Sequence, residues 1–218
     1  MKKMMMIAAM MVATLTASAQ KSVIEPGHFG LQPKVGLNLA KTTDKDTKFK
    51  AGLAAGIEGQ YQVNDWFGLN LGVIYEQQGN ATKITDQIKA VGIDKAKTKL
   101  EYLNIPVTAR FYIAKGLSLG TGLQVGFLTK AKGDIEGDIT KVANLDTNIK
   151  SDCNKVNLAI PMSLSYELPM GLTFDFRYQL GLTKWYKSDK NSVAYYLGAE
   201  PTGKNSVLQL TVGYKFGL

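Results

Sequence analysis

Few residues of the 218-residue sequence have the types and spacing that catalysis or metal binding requires. The single histidine, His28, precedes the first predicted strand, and a general base must lie within hydrogen-bonding reach of the proton that it removes. "DIEGD" places Asp134, Glu136 and Asp138 at alternate positions, but the distal glutamate of an EF-hand is missing. We therefore expect no catalytic residue, no metal ligand and no cofactor, and hence no enzyme.

Two other features have structural explanations. "GTGLQVG" (120–126) contains the glycines of a nucleotide-binding loop, but no helix follows it, and its three glycines share one face of a strand. Cys153 is the only cysteine, whereas a secreted domain stapled by disulfides needs several. The sequence therefore predicts a fold that is stabilised without disulfides.

The first residues have the features of a secretory signal peptide. "MKKMMMIAAMMVATLTASAQ" has a basic start, an apolar run and an A-x-A cleavage pattern at 17–19. The run is too short for a membrane helix, which needs about 20 apolar residues. We predict a cleaved signal peptide at 1–19.

From residue 30 onward, eight segments alternate apolar and polar residues with the period of two that indicates β-strands. They lie near 30–40, 50–63, 67–78, 98–114, 117–129, 154–168, 171–185 and 206–218. The connections alternate between short ones (64–66, 115–116 and 169–170) and long polar ones (41–49, 79–97, 130–153 and 186–205). This alternation predicts an all-β, eight-stranded antiparallel up-and-down barrel. Transmembrane barrels of this kind have short periplasmic turns and long extracellular loops.

The two faces of the strands differ in a way that indicates which one meets lipid. One face is apolar along every strand, as at Leu172, Phe174 and Phe176. The other face collects the charges Lys34, Glu58, Glu76, Arg110, Asp175, Arg177 and Lys215. Because Lys or Arg facing lipid at mid-bilayer costs roughly 2–4 kcal/mol, we place these seven residues in the lumen. There they would form a paired, structural charge network. We therefore predict a periplasmic segment at 20–29 and an outer-membrane barrel at 30–218.

The inverse arrangement is the alternative. A soluble periplasmic barrel of the lipocalin type also has eight meandering strands, with its apolar face lining a cavity for a small apolar ligand. Its exterior would carry many charges along each strand, whereas these strands carry few and the lysines concentrate between them.

The segment "LEYLNIPVTARFYIAKGLSLGTGLQVGFL" (100–128) and the closing "LQLTVGYKF" resemble the PorT-type outer-membrane β-barrel family of Gram-negative bacteria. The resemblance covers nearly all of 30–218. It implies an integral outer-membrane barrel, in a family whose members include proteins linked to secretion or to surface attachment.

The expected partners follow from this location. They are outer-membrane lipid, lipopolysaccharide, the barrel-insertion machinery acting on the C-terminal strand, and an unidentified extracellular or secretion partner. Lysines that we expect to meet lipopolysaccharide phosphates include Lys41, Lys45, Lys48, Lys50, Lys83, Lys89, Lys95 and Lys97. Only two of the 26 basic residues are arginines, which argues against nucleic-acid binding because bidentate contacts to phosphate and guanine favour arginine. We expect a monomer.

Overall fold

The computed structural model of the protein describes residues 22–44, 47–82, 93–137, 145–187 and 203–218. The predicted signal peptide lies outside the described residues. The strands are β1 (Phe29–Thr42), β2 (Thr47–Lys48), β3 (Lys50–Asn64), β4 (Phe67–Thr82), β5 (Ile93–Tyr112), β6 (Leu117–Gly137), β7 (Leu145–Asn148), β8 (Val156–Glu167), β9 (Leu172–Lys184), β10 (Lys204–Tyr214) and β11 (Phe216–Gly217). One 3₁₀ turn, Lys150–Asp152, follows β7. No helix among these residues is long and apolar enough to cross a membrane.

Eight of these strands close into an antiparallel barrel. The ladder runs β1–β3–β4–β5–β6–β8–β9–β10, and β10 pairs back onto β1 from Lys34↔Gly213 to Thr42↔Asn205. The short strands extend it: β2 pairs with β4, β7 with β6, and β11 with β1. The predicted eight-stranded up-and-down barrel is confirmed.

Side chains alternate between the lumen and the outside along the lipid-facing part of each barrel strand. Along β1 and β3 the polar residues Gln32, Asn38 and Gln60 are buried, while apolar residues such as Val35 and Ile57 are exposed. The same holds on the other barrel strands, because successive side chains of a strand point to opposite faces. The apolar face therefore points outward, toward lipid. A lipocalin-like barrel with an apolar cavity requires the opposite orientation, so that alternative is wrong.

Aromatic side chains form a belt at the end of the barrel that carries the short turns. Ring centroids are 4.8 Å apart in the Phe29–Tyr61 pair and 5.2 Å apart in the Phe67–Phe111 pair. Trp66 stacks on Phe111 at 6.2 Å. Such girdles mark the boundary between membrane and water, and the short turns of these barrels are periplasmic, so this end lies at the periplasmic interface.

The strands at the opposite end are longer than predicted. β5 starts at Ile93 and β6 continues to Gly137, and the two remain paired along this length, although we predicted loops over 79–97 and 130–153. Above the membrane the outward face no longer needs apolar residues, so the alternation that indicates a strand ends before the strand does. The structure there is a sheet that projects beyond the barrel, with β7 added to β6.

Candidate functional site

The centre of the lumen contains a cluster of five charged side chains. Lys34 Nζ lies 2.6 Å from Glu58 Oε2 and 2.7 Å from Asp175 Oδ2. Arg177 Nη2 donates to Glu58 Oε1 at 2.6 Å, and Arg110 Nη2 lies 3.3 Å from Asp175 Oδ1. None of these residues is more than 5% exposed. The sheet closure brings together strands β1, β3, β5 and β9, each contributing at least one charge to the same level of the lumen.

Neutral donors complete the coordination of Asp175. Ser165 Oγ donates to Asp175 Oδ1, and Gln32 Nε2 donates to Asp175 Oδ2 at 3.2 Å. A buried carboxylate is tolerated when its lone pairs are filled by charged and neutral donors together. The strand pattern predicts that Gln32 and Ser165 face the lumen, because they occupy the same alternating, inward positions of their strands as the charged residues.

Glu76 lies toward the long-loop end and is held differently. Gln78, Gln179 and Gln209 each donate an amide N–H to its carboxylate, at 2.8, 2.9 and 3.1 Å. Within the described part of the chain, Glu76 has no basic nitrogen within the 4.0 Å of an ion pair. The central cluster has three cations and two anions, so the charge of Glu76 balances it at longer range.

A second ion pair lies at the periplasmic end of the lumen. Lys215 Nζ contacts Glu167 Oε2 and also donates to Gln60 Oε1 at 3.0 Å and to Tyr112 Oη at 3.1 Å. Glu167 is 4% exposed and was missing from the predicted network. Glu167 is two residues after the inward-facing Ser165 on β8. The period of two therefore also places Glu167 in the lumen, and this was the sequence signal that identifies it. With Glu167, the described residues place four basic and four acidic side chains in the lumen.

Residues 22–28 cover the periplasmic end of the lumen. Ile24 is 2% exposed and packs so closely on Gly30 that a Cβ there would overlap Ile24 Cδ1. The amide of Val23 donates to Glu167 Oε1, and the amide of Gly27 donates to the carbonyl of Gln62 at 2.7 Å. This segment is thus attached both to the charge network and to the end of β3.

An apolar cluster covers the other end. Its buried members are Leu100, Tyr102, Leu128, Ala131, Cys153 and Trp185. Trp185 Nε1 donates to Asp44 Oδ2 at 3.0 Å, and Asp44 Oδ1 accepts from the amide of Gly203 at 2.6 Å. Burial in this cluster, followed by the negative charge of Asp152, raises the pKa of the Cys153 thiol to about 11.

His28 lies at the opposite end of the barrel from Asp134 and Glu136. His28 is exposed at the periplasmic end, with Nδ1 3.3 Å from the carbonyl of Pro26. Asp134 lies on β6 rather than in a loop, and its Oδ2 is 2.8 Å from Lys99 Nζ. Glu136 is also on β6, and Asp138 lies outside the described residues.

Comparison with known structures places the fold among outer-membrane barrels. Neisserial surface protein A is 15% identical with a TM-score of 0.51, over 86% of this chain and 97% of that one. A major outer membrane protein from Thermus thermophilus is 12% identical with a TM-score of 0.50, over 86% and 99%. The attachment invasion locus protein Ail of Yersinia pestis is 14% identical with a TM-score of 0.47, over 87% and 99%. At these identities the likeness shows the fold alone.

Sequence comparison gives the family. No curated protein matches the chain. The family described as outer membrane protein beta-barrel domain matches residues 18–187, which is most of the sequence. The outward apolar face, the periplasmic aromatic belt and the polar lumen agree with that match. The chain belongs to the outer membrane protein beta-barrel domain family and is an outer-membrane protein.

Proposed function

We propose that the protein is a PorT-type barrel of a Gram-negative outer membrane whose role is structural and loop-presenting, without catalysis. The barrel is the anchor, and its extracellular loops meet a partner in adhesion or in secretion. The observation that carries this proposal is the filled lumen, because a barrel that conducts or transports needs a path through its centre.

Three layers block such a path. Polar contacts cross the lumen at two levels, from Arg177 on β9 to Glu58 on β3 and from Gln179 on β9 to Glu76 on β4. Ile24 lies below these contacts, and the apolar cluster around Trp185 lies above. Eight-stranded barrels have an interior only wide enough for side chains, whereas aqueous channels appear at about 16–18 strands. The seven charged residues predicted from the sequence, together with Glu167, therefore serve as the structural core of the barrel.

The surface-presenting role is supported by the extracellular end. The extended parts of β5 and β6, with β7, form a paired sheet beyond the lipid-facing band. Backbone pairing stiffens this projection, and rigid platforms are where binding loops are usually carried. The long connections 83–92 and 138–144 start from its edges.

The export route follows from the two ends of the chain. We propose that residues 1–19 are removed as a signal peptide and that 20–29 are the periplasmic segment, of which 22–28 cover the lumen. The C-terminal strand pairs with β1 from Gly213 to Asn205, and Phe216 pairs with Leu31. In this proposal the insertion machinery reads that strand before closure, and the finished barrel is a monomer.

Two measurements test the proposal. In planar bilayers the purified barrel should give no steady large-conductance openings, and regular openings of that kind would overturn the filled lumen. In its host, a barrel with 83–92 and 138–144 replaced by short Gly-Ser linkers should still insert and migrate in a heat-modifiable way, yet fail to restore the phenotype of a deletion strain. Full restoration of the phenotype by the trimmed barrel would contradict the loop-presenting role.

A further inference from the structure

A proline interrupts the backbone ladder between β4 and β5. Pairing of these strands runs to Leu71↔Val107 and resumes at Ile74↔Asn104, so that Pro106 lies in the gap. The register is the same on both sides, which excludes a bulge as the cause. Because proline has no N–H to donate, the opposite strand loses a ladder hydrogen bond here.

The ladder between β6 and β8 has the same defect. It is paired at Thr121↔Met162 and again at Gln124↔Ala159, and Pro161 lies in the gap. The register is again unchanged across the gap. Each side of the β5–β6 hairpin therefore lacks one hydrogen bond.

The two gaps lie at nearly the same level of the barrel wall. β5 and β6 themselves remain paired along this length, with Pro106 opposite Gln124. The gap on β6 spans 122–123, directly beside Gln124. A hairpin whose outer ladders are both interrupted at one level can bend there at low cost, since few hydrogen bonds must break.

Cross-strand side chains do not compensate for the lost bonds. The constant register places Gly72 opposite Pro106 and Gly122 opposite Pro161. Cross-strand side-chain pairs stabilise a sheet, and a glycine contributes none. A Cβ on Gly122 would overlap the carbonyl oxygen of Val107, so a larger residue has no room there.

The hairpin is held in the lumen on both sides of this level but not at it. On the periplasmic side, Arg110 Nη2 lies 3.3 Å from Asp175 Oδ1. On the extracellular side, Tyr102 packs in the apolar cluster with Trp185. Between them, both side-chain amide atoms of Asn104 lack a hydrogen-bond partner among the described residues, although Asn104 is fully buried.

We propose that the extracellular half of the β5–β6 hairpin is a hinged lid over the mouth of the lumen. The lid consists of 93–105 on β5 and 123–137 on β6, with β7 attached. The structure shows it closed, with Tyr102 packed against the cluster that contains Trp185 and Cys153. In the open state the hairpin bends at the two ladder gaps, which withdraws Tyr102 and exposes the thiol of Cys153.

Opening would uncover the extracellular end of the lumen without creating a channel. None of the five residues of the central charge cluster lies in the lid, and 22–28 cover the other end. The connections 83–92 and 138–144 at the tip of the lid, with Lys83 and Lys89, lie outside the described residues, as does Lys45. The proposal goes beyond the loop-presenting role and does not require it.

The test restores the missing donors. P106A/P161A gives each ladder an N–H, and amide hydrogen exchange is followed by mass spectrometry on the refolded barrel in lipid nanodiscs. Exchange in 93–105 and 123–137 should slow roughly 30-fold, because two ladder hydrogen bonds contribute about 1 kcal/mol each. Alkylation of Cys153 should slow by the same factor, since the lid must open for the reagent to enter.

P33A is the matched control. Pro33 interrupts the seam of β1 with the C-terminal strand in the same way, between Lys34↔Gly213 and Leu31↔Phe216. P33A should slow exchange at that seam and leave the lid and the alkylation rate unchanged. Heat-modifiable migration establishes that each variant is folded. The single variants P106A and P161A repeat the test with about a fivefold effect each.

Three results would overturn the hinge. Unchanged exchange and alkylation in P106A/P161A would show that the ladder gaps do not control opening. Equal slowing throughout the barrel would indicate a general gain in stability instead of a local hinge. Slowing of the lid by P33A as large as that by P106A/P161A would remove the link to the two gaps beside the hairpin.

Discussion

Lys34 Nζ and Asp175 Oδ2 lie 2.7 Å apart inside the lumen, which joins β1 to β9 behind the closing strand β10. The residues are 141 positions apart in sequence. Glu58 contacts the same ammonium at 2.6 Å. The closing seam of the barrel is therefore held from inside by charge as well as by its backbone ladder, and the stability of the fold should depend on these pairs.

Neutralising Glu58 should destabilise the barrel strongly. E58Q leaves Lys34 and Arg177 without one partner, and removing one member of a buried ion pair costs about 3–5 kcal/mol. Urea unfolding from lipid vesicles, followed by the fluorescence of Trp66 and Trp185, measures the loss. E101Q is the control, since that partly exposed glutamate belongs to a surface pair worth about 1 kcal/mol or less. Equal losses in the two variants would refute a stabilising role of the lumen network.

The cost of a charge on the outer wall should depend on depth. V107R places an arginine midway along the lipid-facing part of β5 and should cost roughly 2–4 kcal/mol, whereas I113R, at the periplasmic interface, should cost about 0–1 kcal/mol. Both parent side chains are similarly exposed, at 55% and 58%. The folding free energies of the two variants, measured in lipid vesicles, give this difference. A V107R barrel as stable as the I113R barrel would contradict a mid-membrane position of Val107.

Gly36 should be essential at the β1–β10 seam for a steric reason. A Cβ at this position would overlap the carbonyl oxygen of Leu210, and neither backbone can move without opening the ladder. G36A should therefore lose about 2 kcal/mol or more, as overpacked interiors do. G59A is the matched control, because its Cβ would meet Leu71 O at an ordinary 3.7 Å. Thermal band-shift assays that show no difference between the two would disprove the tight seam.

Cys153 should react slowly while the extracellular apolar cluster is folded. Only the thiolate is nucleophilic, and burial raises the pKa of this thiol to about 11. Because the folded pKa lies above the unfolded one, the thiol contributes stability below the unfolded value, and that contribution is lost as pH rises through about 11. Alkylation at pH 8 should be far slower than for an exposed thiol made by S151C in a C153S background. Comparable rates would mean that the cluster opens readily.

The sequence identified most of the lumen but not its full composition. The alternation along the strands placed seven charged residues on one face. The same rule, extended to the next inward position of β8, would have included Glu167. The cap formed by residues 22–28 had no such signal, because Ile24 is buried by the barrel mouth and not by a regular local pattern. The extensions of β5 and β6 were missed since their outward face is already in water, where a strand shows no apolar alternation.

The sequence by itself determined which side chains face lipid and which face the lumen. This follows from local geometry, since the period of two belongs to each strand whatever its neighbours are. Only the tertiary structure decided which charges meet. The level at which Lys34, Glu58 and Asp175 coincide depends on the stagger of strands around a closed barrel. That stagger is fixed by pairing between residues far apart in the chain, and no local pattern encodes it.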